Sequence, residues 1–382
     1  MNKSILTVGF AVFAMFFGAG NMVLPLHLMQ EWPNHWFSAF VGFCITAVFF
    51  TLLGLIGSVL VQGNLKRFFA PLGLVAGLAM QVVLILIEGP FGIVPRSLIV
   101  SYGGVVSIWP EINQEVFYSI SCVAIYFLAL NKNRIINVIG NILTPAMLIF
   151  LLLIVLSTYM TYGVKDIHFE LSNGQAFIDG LLKGYLTYDL PGALYFTTIA
   201  MVYLTALNTK KDEILSNGIK SSFISAILLS TVYALFIYLG LSYRELLQDI
   251  PPELILPTIV KGSLGHGFSI IFACLIFLAC ITTAIAAITV WSDFIYSYFP
   301  KFNYKIILSV SLAISFVVST LGFTSLMKML GPILNLVYPV LIGLTIYNIM
   351  IHYRKVKTVN SAELLNPELS IIPNGLVENQ KS

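Results

Sequence analysis

Two short stretches of this chain place residues with binding chemistry inside long apolar runs. The first, residues 16–21, reads Phe-Phe-Gly-Ala-Gly-Asn and is followed by Pro25. The second, residues 184–193, combines glycines, a proline and the carboxylate of Asp189. Glycine and proline both weaken a helix, and an unwound turn frees N–H and C=O groups. N–H groups at a helix start bind anions such as carboxylates, and freed carbonyls bind a cation or an ammonium group. The chemistry indicated is recognition of a zwitterion.

Each stretch also has a purely structural interpretation. Gly18 and Gly20 alone are equally typical of close packing between membrane helices. Asn21, Pro25 and the second interruption favour a binding site. Asp189 precedes Leu190-Pro191, where it could cap a helix, since Asp is a preferred capping residue and Pro suits the first turn. Capping and a transport role are compatible.

The composition requires that these stretches lie in a membrane. Of 382 residues, 58% are hydrophobic and 10% are charged, and the mean hydropathy is +0.93. Soluble domains carry about 25% charged residues, so 20 basic and 17 acidic side chains are too few to cover a soluble surface. Most soluble enzymes and nucleic-acid-binding proteins are excluded. A net charge of +3 without basic runs indicates no nucleic-acid partner.

Ten apolar segments are long enough to span a bilayer, which takes about 20 residues of helix. They lie near 5–29, 36–61, 71–100, 115–131, 137–160, 176–207, 221–242, 266–298, 304–323 and 326–352. We predict an all-α polytopic transmembrane domain over residues 1–352, followed by a polar cytoplasmic tail over 353–382. The interruptions fall in segments one and six, which are equivalent if the chain is a five-plus-five inverted repeat (about 5–160 and 176–352). Such paired interruptions indicate the binding site of a secondary transporter.

Orientation and reaction class follow from simpler patterns. Most Lys and Arg residues outside the segments lie on one side, so both termini are predicted to be cytoplasmic, in the cell inner (plasma) membrane. GxSxG, HExxH, P-loop and dinucleotide motifs are absent from the sequence, so we predict neither an enzyme nor a bound cofactor. The predicted partners are the lipid bilayer and a small-molecule substrate, and the sequence does not indicate an oligomeric state.

Four stretches in register resemble the branched-chain amino acid:cation symporters (BrnQ-type carriers). They are Phe-Gly-Ala-Gly-Asn at 17–21, Gly-Pro-Phe with Pro-Arg at 89–96, Gly-Tyr-Leu-Thr-Tyr-Asp at 184–189 and Leu-Ile-Phe-Leu-Ala-Cys-Ile-Thr-Thr-Ala at 275–284. Pro332 and Tyr338-Pro339 fit the tenth helix of that family. The resemblance implies the leucine-transporter-like fold and cation-coupled import of leucine, isoleucine and valine by alternating access. Alternatives are another apolar amino acid, such as methionine, or a membrane channel.

The resemblance also implies roles for particular residues. The substrate-binding residues would be Gly18, Ala19, Gly20, Asn21, Tyr185, Thr187 and Asp189. A cation site would comprise the carbonyls of Ala14 and Phe17, the hydroxyls of Thr282 and Thr283, and the nearby amide of Asn21. The co-transported ion would be Na⁺, with H⁺ as the second choice. Serine and threonine often bond back to their own helix instead, and this interpretation of Thr282 and Thr283 stays open.

Two charged residues lie in segment three. Glu88 stands where the family pattern is apolar, and is either a proton-coupling carboxylate or a structural partner of a neighbouring group. Arg96 lies eight residues further on, about 12 Å along an ideal helix, and is interpreted as a structural anchor near a membrane interface. Many relatives carry one or two further helices beyond the tenth.

Overall fold

The computed structural model describes residues 3–130, 144–162, 173–206 and 211–365, which contain helices and no strand. The first half of this part of the chain contains α1 (Lys3–Phe16), α2 (Ala19–Glu31), α3 (Trp36–Cys44), α4 (Phe50–Leu60), α5 (Leu65–Phe69), α6 (Leu74–Glu88), α7 (Ile93–Val106), α8 (Gln114–Ala129) and α9 (Thr144–Tyr162). The second half contains α10 (Gly174–Tyr185), α11 (Asp189–Ala206), α12 (Lys211–Ser242), α13 (Pro252–Tyr298), α14 (Tyr304–Ser319) and α15 (Phe323–Leu365). A π-helical turn, Ile45–Phe49, joins α3 to α4.

All ten predicted segments contain helix, although residues 137–143 of the fifth lie outside the described part. Five stretches are long and apolar enough to cross a membrane singly: Trp36–Leu60, Leu74–Val106, Glu213–Ser242, Pro252–Tyr298 and Phe323–Arg354. A bent pair, Ile5–Phe16 with Ala19–Glu31, makes a sixth, and α8, α9 and α14 supply shorter apolar helices. The chain is therefore a multi-pass membrane protein, as its composition predicted.

Interruptions occur in three of the segments. Segment one bends by 65° between α1 and α2, and segment six is interrupted between α10 and α11; both breaks were predicted. Segment three is also interrupted, between α6 and α7, where Gly89-Pro90-Phe91-Gly92 separates two helices. Pro90 has no N–H to donate, and its freed carbonyl accepts a hydrogen bond from Ser315 of α14 (3.3 Å). This third break was not predicted.

Helix packing follows the pattern of a five-plus-five inverted repeat, in which the first segment of each repeat packs against the second segment of the other repeat. The first half of segment one, α1, packs on α12 of segment seven, and the first half of segment six, α10, packs on α3 of segment two. The second halves repeat this pattern, because α2 packs on α12 and α11 packs on α4. Segments three and eight, which are equivalent to each other, pack through α7 and α13. These contacts place both broken segments in the centre of the bundle.

The contact between α3 and α10 depends on glycine. A Cβ on Gly180 would collide with the carbonyl oxygen of Ala39, and one on Gly42 would collide with that of Phe177. Small residues let two membrane helices approach backbone to backbone. The first half of segment six is thereby fixed against segment two.

Two helix boundaries sharpen or correct the expected ones. Within α13, Gly265 has a left-handed φ of 80°, and this kink coincides with the predicted start of segment eight at 266. At the other end, α15 continues to Leu365, so residues 353–365 of the predicted polar tail are helical. Neither Gly nor Pro, the residues with the lowest helix propensities, occurs in 353–365. Residues 366–382 lie outside the described part.

Candidate functional site

The break in segment one exposes a helix N-terminus. Gly18 precedes α2 with extended backbone (φ −111°, ψ −169°) and has no side chain with which to cap the helix. The first N–H groups of any α-helix lack an intrahelical acceptor. At α2 these groups belong to Ala19, Gly20 and Asn21. The predicted carboxylate-binding residues therefore do present N–H donors in the middle of the bundle.

The break in segment six consists of Leu186, Thr187 and Tyr188, between α10 and α11. Tyr188 is left-handed (φ 66°), which costs energy in a residue with a bulky side chain. The hydroxyl of Thr187 donates to the carbonyl of Gly184 (2.8 Å) and accepts the N–H of Asp189 (3.3 Å). Thr187, rather than Asp189, therefore caps the start of α11, and the capping interpretation of Asp189 was wrong.

The side chain of Asp189 instead joins the two broken segments. The Asn21 amide donates to both carboxylate oxygens of Asp189, at 2.8 and 3.0 Å. The hydroxyl of Tyr233, in α12, donates to Asp189 at 2.6 Å and accepts from the Asn21 amide at 2.5 Å. Asn21 and Asp189 are 1% and 2% exposed, and Tyr233 is fully buried. We call these three residues the central triad.

Tyr233 was missed by the sequence analysis. Nothing in its local sequence distinguishes it from the other tyrosines, of which the chain has 18. Only the packing of α12 against α1 and α2 brings it to Asp189. The one sequence signal that could have identified it is helical periodicity, which would place Tyr233 as a polar residue on the face of segment seven that is directed at the breaks.

Arg96 lies at both breaks, and its assignment to a membrane interface was wrong. It is 3% exposed and donates from Nη1 to the carbonyl of Leu186 (2.6 Å) and from Nη2 to that of Thr187 (3.2 Å). Its guanidinium carbon lies 4.2 Å from the centre of the Tyr188 ring. The interruption between α6 and α7 separates Arg96 from the helix of Glu88 and lets α7 enter the centre of the bundle. The carbonyls freed in segment six, those of Leu186 and Thr187, therefore already accept hydrogen bonds from the positively charged guanidinium of Arg96.

The remaining substrate-site residue, Tyr185, lies against segment ten. Its ring centre is 4.2 Å from that of Tyr338 in α15, which is fully buried. This contact connects the end of α10 to the tenth segment. Tyr185 is thus adjacent to the break in segment six but does not belong to the central triad.

The predicted cation-site residues are only partly brought together. A Cβ on Gly18 would lie 3.5 Å from the Thr283 hydroxyl, so segment eight meets the break in segment one there. Ala14 and Phe17 are buried beside the same break. The hydroxyls of Thr282 and Thr283 both donate to the carbonyl of Ala279, each at 2.9 Å. The structure thus shows the back-bonding that the sequence analysis left open, with the hydroxyl lone pairs still available.

Glu88 ends α6 at the third break. It is 6% exposed, and its Oε1 has no hydrogen-bond partner among the described residues. The Glu88 carboxyl group interacts electrostatically with the guanidinium of Arg96 and with the carboxylate of Asp189. A structural role as partner of a neighbouring hydroxyl is therefore not observed for this oxygen.

The whole architecture is similar to those of solved transporters. MHP1, a nucleobase-cation-symport-1 family transporter solved in a closed conformation with bromovinylhydantoin bound, matches with a TM-score of 0.59 at 15% identity, over 87% of this chain and 74% of that one. A manganese transporter of Eremococcus coleocola matches with a TM-score of 0.51 at 14% identity, over 92% and 87%. At these identities the likeness shows the fold alone. Fold and paired breaks define a membrane protein of the five-plus-five inverted-repeat class.

The sequence specifies the family. Residues 1–371 match the family described as branched-chain amino acid transport protein, and the chain belongs to that family. A Staphylococcus epidermidis protein (strain RP62A) is 27% identical over 367 residues, covering 90% of this chain and 81% of its own. One from Staphylococcus aureus (strain MRSA252) is 28% identical over 365 residues, with the same coverage. Both are named "Putative branched-chain amino acid carrier protein". Family and fold indicate a carrier rather than an enzyme.

Proposed function

We propose that this protein imports leucine, isoleucine and valine across the plasma membrane together with a cation, by alternating access. The observation that carries the proposal is the central triad, in which Asn21 of one broken segment binds Asp189 of the other directly. A substrate bound between the two breaks would contact both repeats at once. Movement of one repeat against the other would then open the site to either side.

The polar ends of the substrate have matching groups at the breaks. The substrate carboxylate would accept hydrogen bonds from the N–H groups of Ala19 and Gly20, at the positive end of the α2 dipole. The ammonium group would lie on the side of Asp189, the acidic residue of the central triad. Tyr185 and Thr187 would flank it from segment six.

The substrate's side chain would be apolar. Aromatic rings surround the central triad, with Phe43 packing 5.0 Å from Tyr233 and Phe17 packing 6.3 Å from Phe236 (ring centres). An apolar lining suits methionine as well, so the choice of branched-chain substrates is supported by family membership and by the names of the relatives. Competition among these amino acids therefore belongs in the test.

Sodium is the proposed coupling ion. The carbonyls of Ala14 and Phe17 and the Thr283 hydroxyl lie around the break in segment one, and Na⁺ is bound by oxygen atoms of this kind in transporters with broken helices. A hydroxyl that donates to its own helix retains lone pairs with which to bind a cation. Protons are the second choice, with Glu88 as the residue that would carry them.

Both termini are proposed to be cytoplasmic. This orientation rests on the positive-inside rule. It places the N-terminus of α1 inside the cell and the C-terminal end of α2 outside.

Equilibrium binding of radiolabelled leucine to the purified full-length protein tests this function. We expect binding to be tighter in NaCl than in choline chloride, because ion and substrate binding are reciprocally linked. Unlabelled isoleucine and valine should compete better than methionine. Failure of all four amino acids to bind would overturn the proposed substrate class, and binding indifferent to Na⁺ would overturn sodium coupling.

The same assay tests the site. Asn21→Ala and Asp189→Asn should weaken leucine binding about 10- to 100-fold, because hydrogen bonds to charged groups contribute about 1.5–3 kcal/mol and 1.4 kcal/mol is a factor of ten. Asp293→Asn, at an exposed position, is the matched control. Folded Asn21 and Asp189 variants that retain wild-type affinity would remove the assignment of the site.

A further inference from the structure

In the described part of the chain, the hydrogen bonds of Arg96 leave one of its buried donors without a partner and its charge without a close counter-ion. Its Nη1 and Nη2 atoms hold the carbonyls of Leu186 and Thr187, but its buried Nε has no partner among the described residues. Within the same residues, no carboxylate oxygen lies within 4.0 Å of its nitrogens. A cation that is 97% buried, at 3% exposure, without a close counter-ion is costly. An anion beside it would lower that cost.

The guanidinium lies directly on the N-terminus of α2. A Cβ on Gly20 would collide with Nη1, Nη2 and the central carbon of Arg96, so the side chain occupies the space that only glycine leaves. Gly20 belongs to the first turn of α2, where the N–H groups lack intrahelical acceptors. The positive end of the α2 dipole and a full positive charge thus meet at one point.

The charges of Glu88 and Asp189 act on Arg96, but neither carboxylate forms an ion pair with it within 4.0 Å in the described part of the chain, so a further anion at these two positive groups would be stabilised. The negative end of α10 is directed at the other side of the guanidinium, where Leu186 and Thr187 bind it. Asp189 is already bonded to Asn21 and Tyr233. The groups that would stabilise a further carboxylate are therefore the N–H groups at the start of α2 and, beside them, the Nε donor of Arg96, which is unpartnered within the described ranges.

We propose that Arg96 is part of the substrate-binding site, where it binds the substrate carboxylate together with the N–H groups of Ala19 and Gly20. This inference rests on the proposed function and adds a residue that the sequence analysis placed elsewhere. The chemical class of ligand follows from it. The carrier prefers compounds with a free carboxylate to the corresponding amines and amides, because an amine has no acceptor for these donors and a neutral amide forms weaker hydrogen bonds to a guanidinium than a carboxylate does.

Competition binding with four compounds tests this inference. Leucine has both polar groups, 4-methylpentanoate lacks the amine, isoamylamine lacks the carboxylate, and leucinamide neutralises it. The wild-type protein should bind leucine far more tightly than leucinamide, and 4-methylpentanoate should compete better than isoamylamine. In Arg96→Gln, leucine affinity should fall about 10- to 100-fold, whereas leucinamide affinity should change much less. Arg67→Gln, at an exposed position, is the matched control and should behave as wild type.

A second measurement covers the case in which Arg96→Gln does not fold, since Arg96 also supports the break in segment six. The chain has five arginines, so the ¹⁵Nε signals of the wild-type protein can be resolved, and Arg96 is assigned by its absence in Arg96→Lys. Leucine should shift the Arg96 signal, and isoamylamine should not.

The outcomes separate this inference from the proposed function. Wild-type protein that binds leucine while its Arg96 signal stays unmoved, or folded Arg96→Gln that retains the full preference for leucine over leucinamide, would overturn the role of Arg96 alone. Wild-type protein that binds no branched-chain amino acid would overturn both.

Discussion

At the scale of single residues, the site is built from polar groups that are satisfied by one another across the breaks. Asn21 and Asp189 were predicted from the paired interruptions in which they lie and from the family resemblance, and an amide and a carboxylate inside apolar segments need a partner or a ligand. Tyr233 and the position of Arg96 could not be predicted, since each depends on how remote helices pack. A position in the sequence shows which apolar segment carries a residue. It does not give the neighbouring helix that the residue contacts.

Glu88 provides a prediction at this scale. If it carries the coupling proton, Glu88→Gln should abolish the pH dependence of leucine uptake while leaving uptake at constant pH measurable. The fold should tolerate the change, because Oε1 has no hydrogen-bond partner among the described residues and a neutral amide removes the cost of a buried charge. The measurement is the initial rate of leucine uptake across a pH series at fixed Na⁺.

Glu115→Gln is the matched control for this variant, because Glu115 is exposed at the start of α8. Its pH profile should follow the wild-type profile. A Glu88→Gln protein with the same pH profile as wild type would exclude the coupling role of Glu88.

At the scale of elements, the units that position the site are half-helices. The C-terminal end of α2 and the helix α10 are connected by an ion-pair group in which Lys183 binds Glu31 and, at 3.2 Å, Asp179. His27 adds a 3.0 Å contact to Glu31, and the Trp32 indole donates to Asp179 at 2.8 Å. This group joins the half-helix whose N–H groups are proposed to bind the substrate carboxylate to the half-helix that ends at the freed carbonyls.

Lys183→Met should therefore loosen the junction between α2 and α10. Lys183 is 8% exposed, and its removal leaves Glu31 and Asp179 without their cation. The expected loss is about 1.5–3 kcal/mol, the contribution of hydrogen bonds to charged groups. It would be measured as a lower melting temperature of the purified protein in detergent.

Lys261→Met, at an exposed position in α13, serves as the control and should melt like wild type. Equal melting temperatures for the Lys183 and Lys261 variants would mean that the ion-pair group does not hold the half-helices together.

At the scale of the whole molecule, the apolar segments and the two breaks, together with the family resemblance, predicted the fold. Lipid cannot satisfy free backbone groups, so glycine and proline within a segment are strong signals of a helix break that faces the protein interior or a cavity. The third break, at Gly89–Gly92, carries the same signal but has no counterpart in segment eight at 266–298, whose helix is unbroken beyond Gly265. The repeat limits of about 5–160 and 176–352 stay a prediction.

A carrier and a channel are also distinguished at the scale of the whole molecule. In the proposed cation-coupled alternating access, accumulation of the substrate depends on the ion gradient. A channel would instead conduct without competition between substrates and without accumulation. Measurements of substrate competition and accumulation in a reconstituted membrane therefore distinguish the two mechanisms.

The most direct test of the central claim is uptake of radiolabelled leucine into proteoliposomes with an imposed inward Na⁺ gradient. We predict that leucine accumulates above its external concentration, that isoleucine and valine inhibit uptake, and that dissipating the gradient or introducing Asp189→Asn abolishes accumulation. Leucine that merely equilibrates across the membrane at the same rate with and without Na⁺ or proton gradients would contradict cation-coupled transport by this protein.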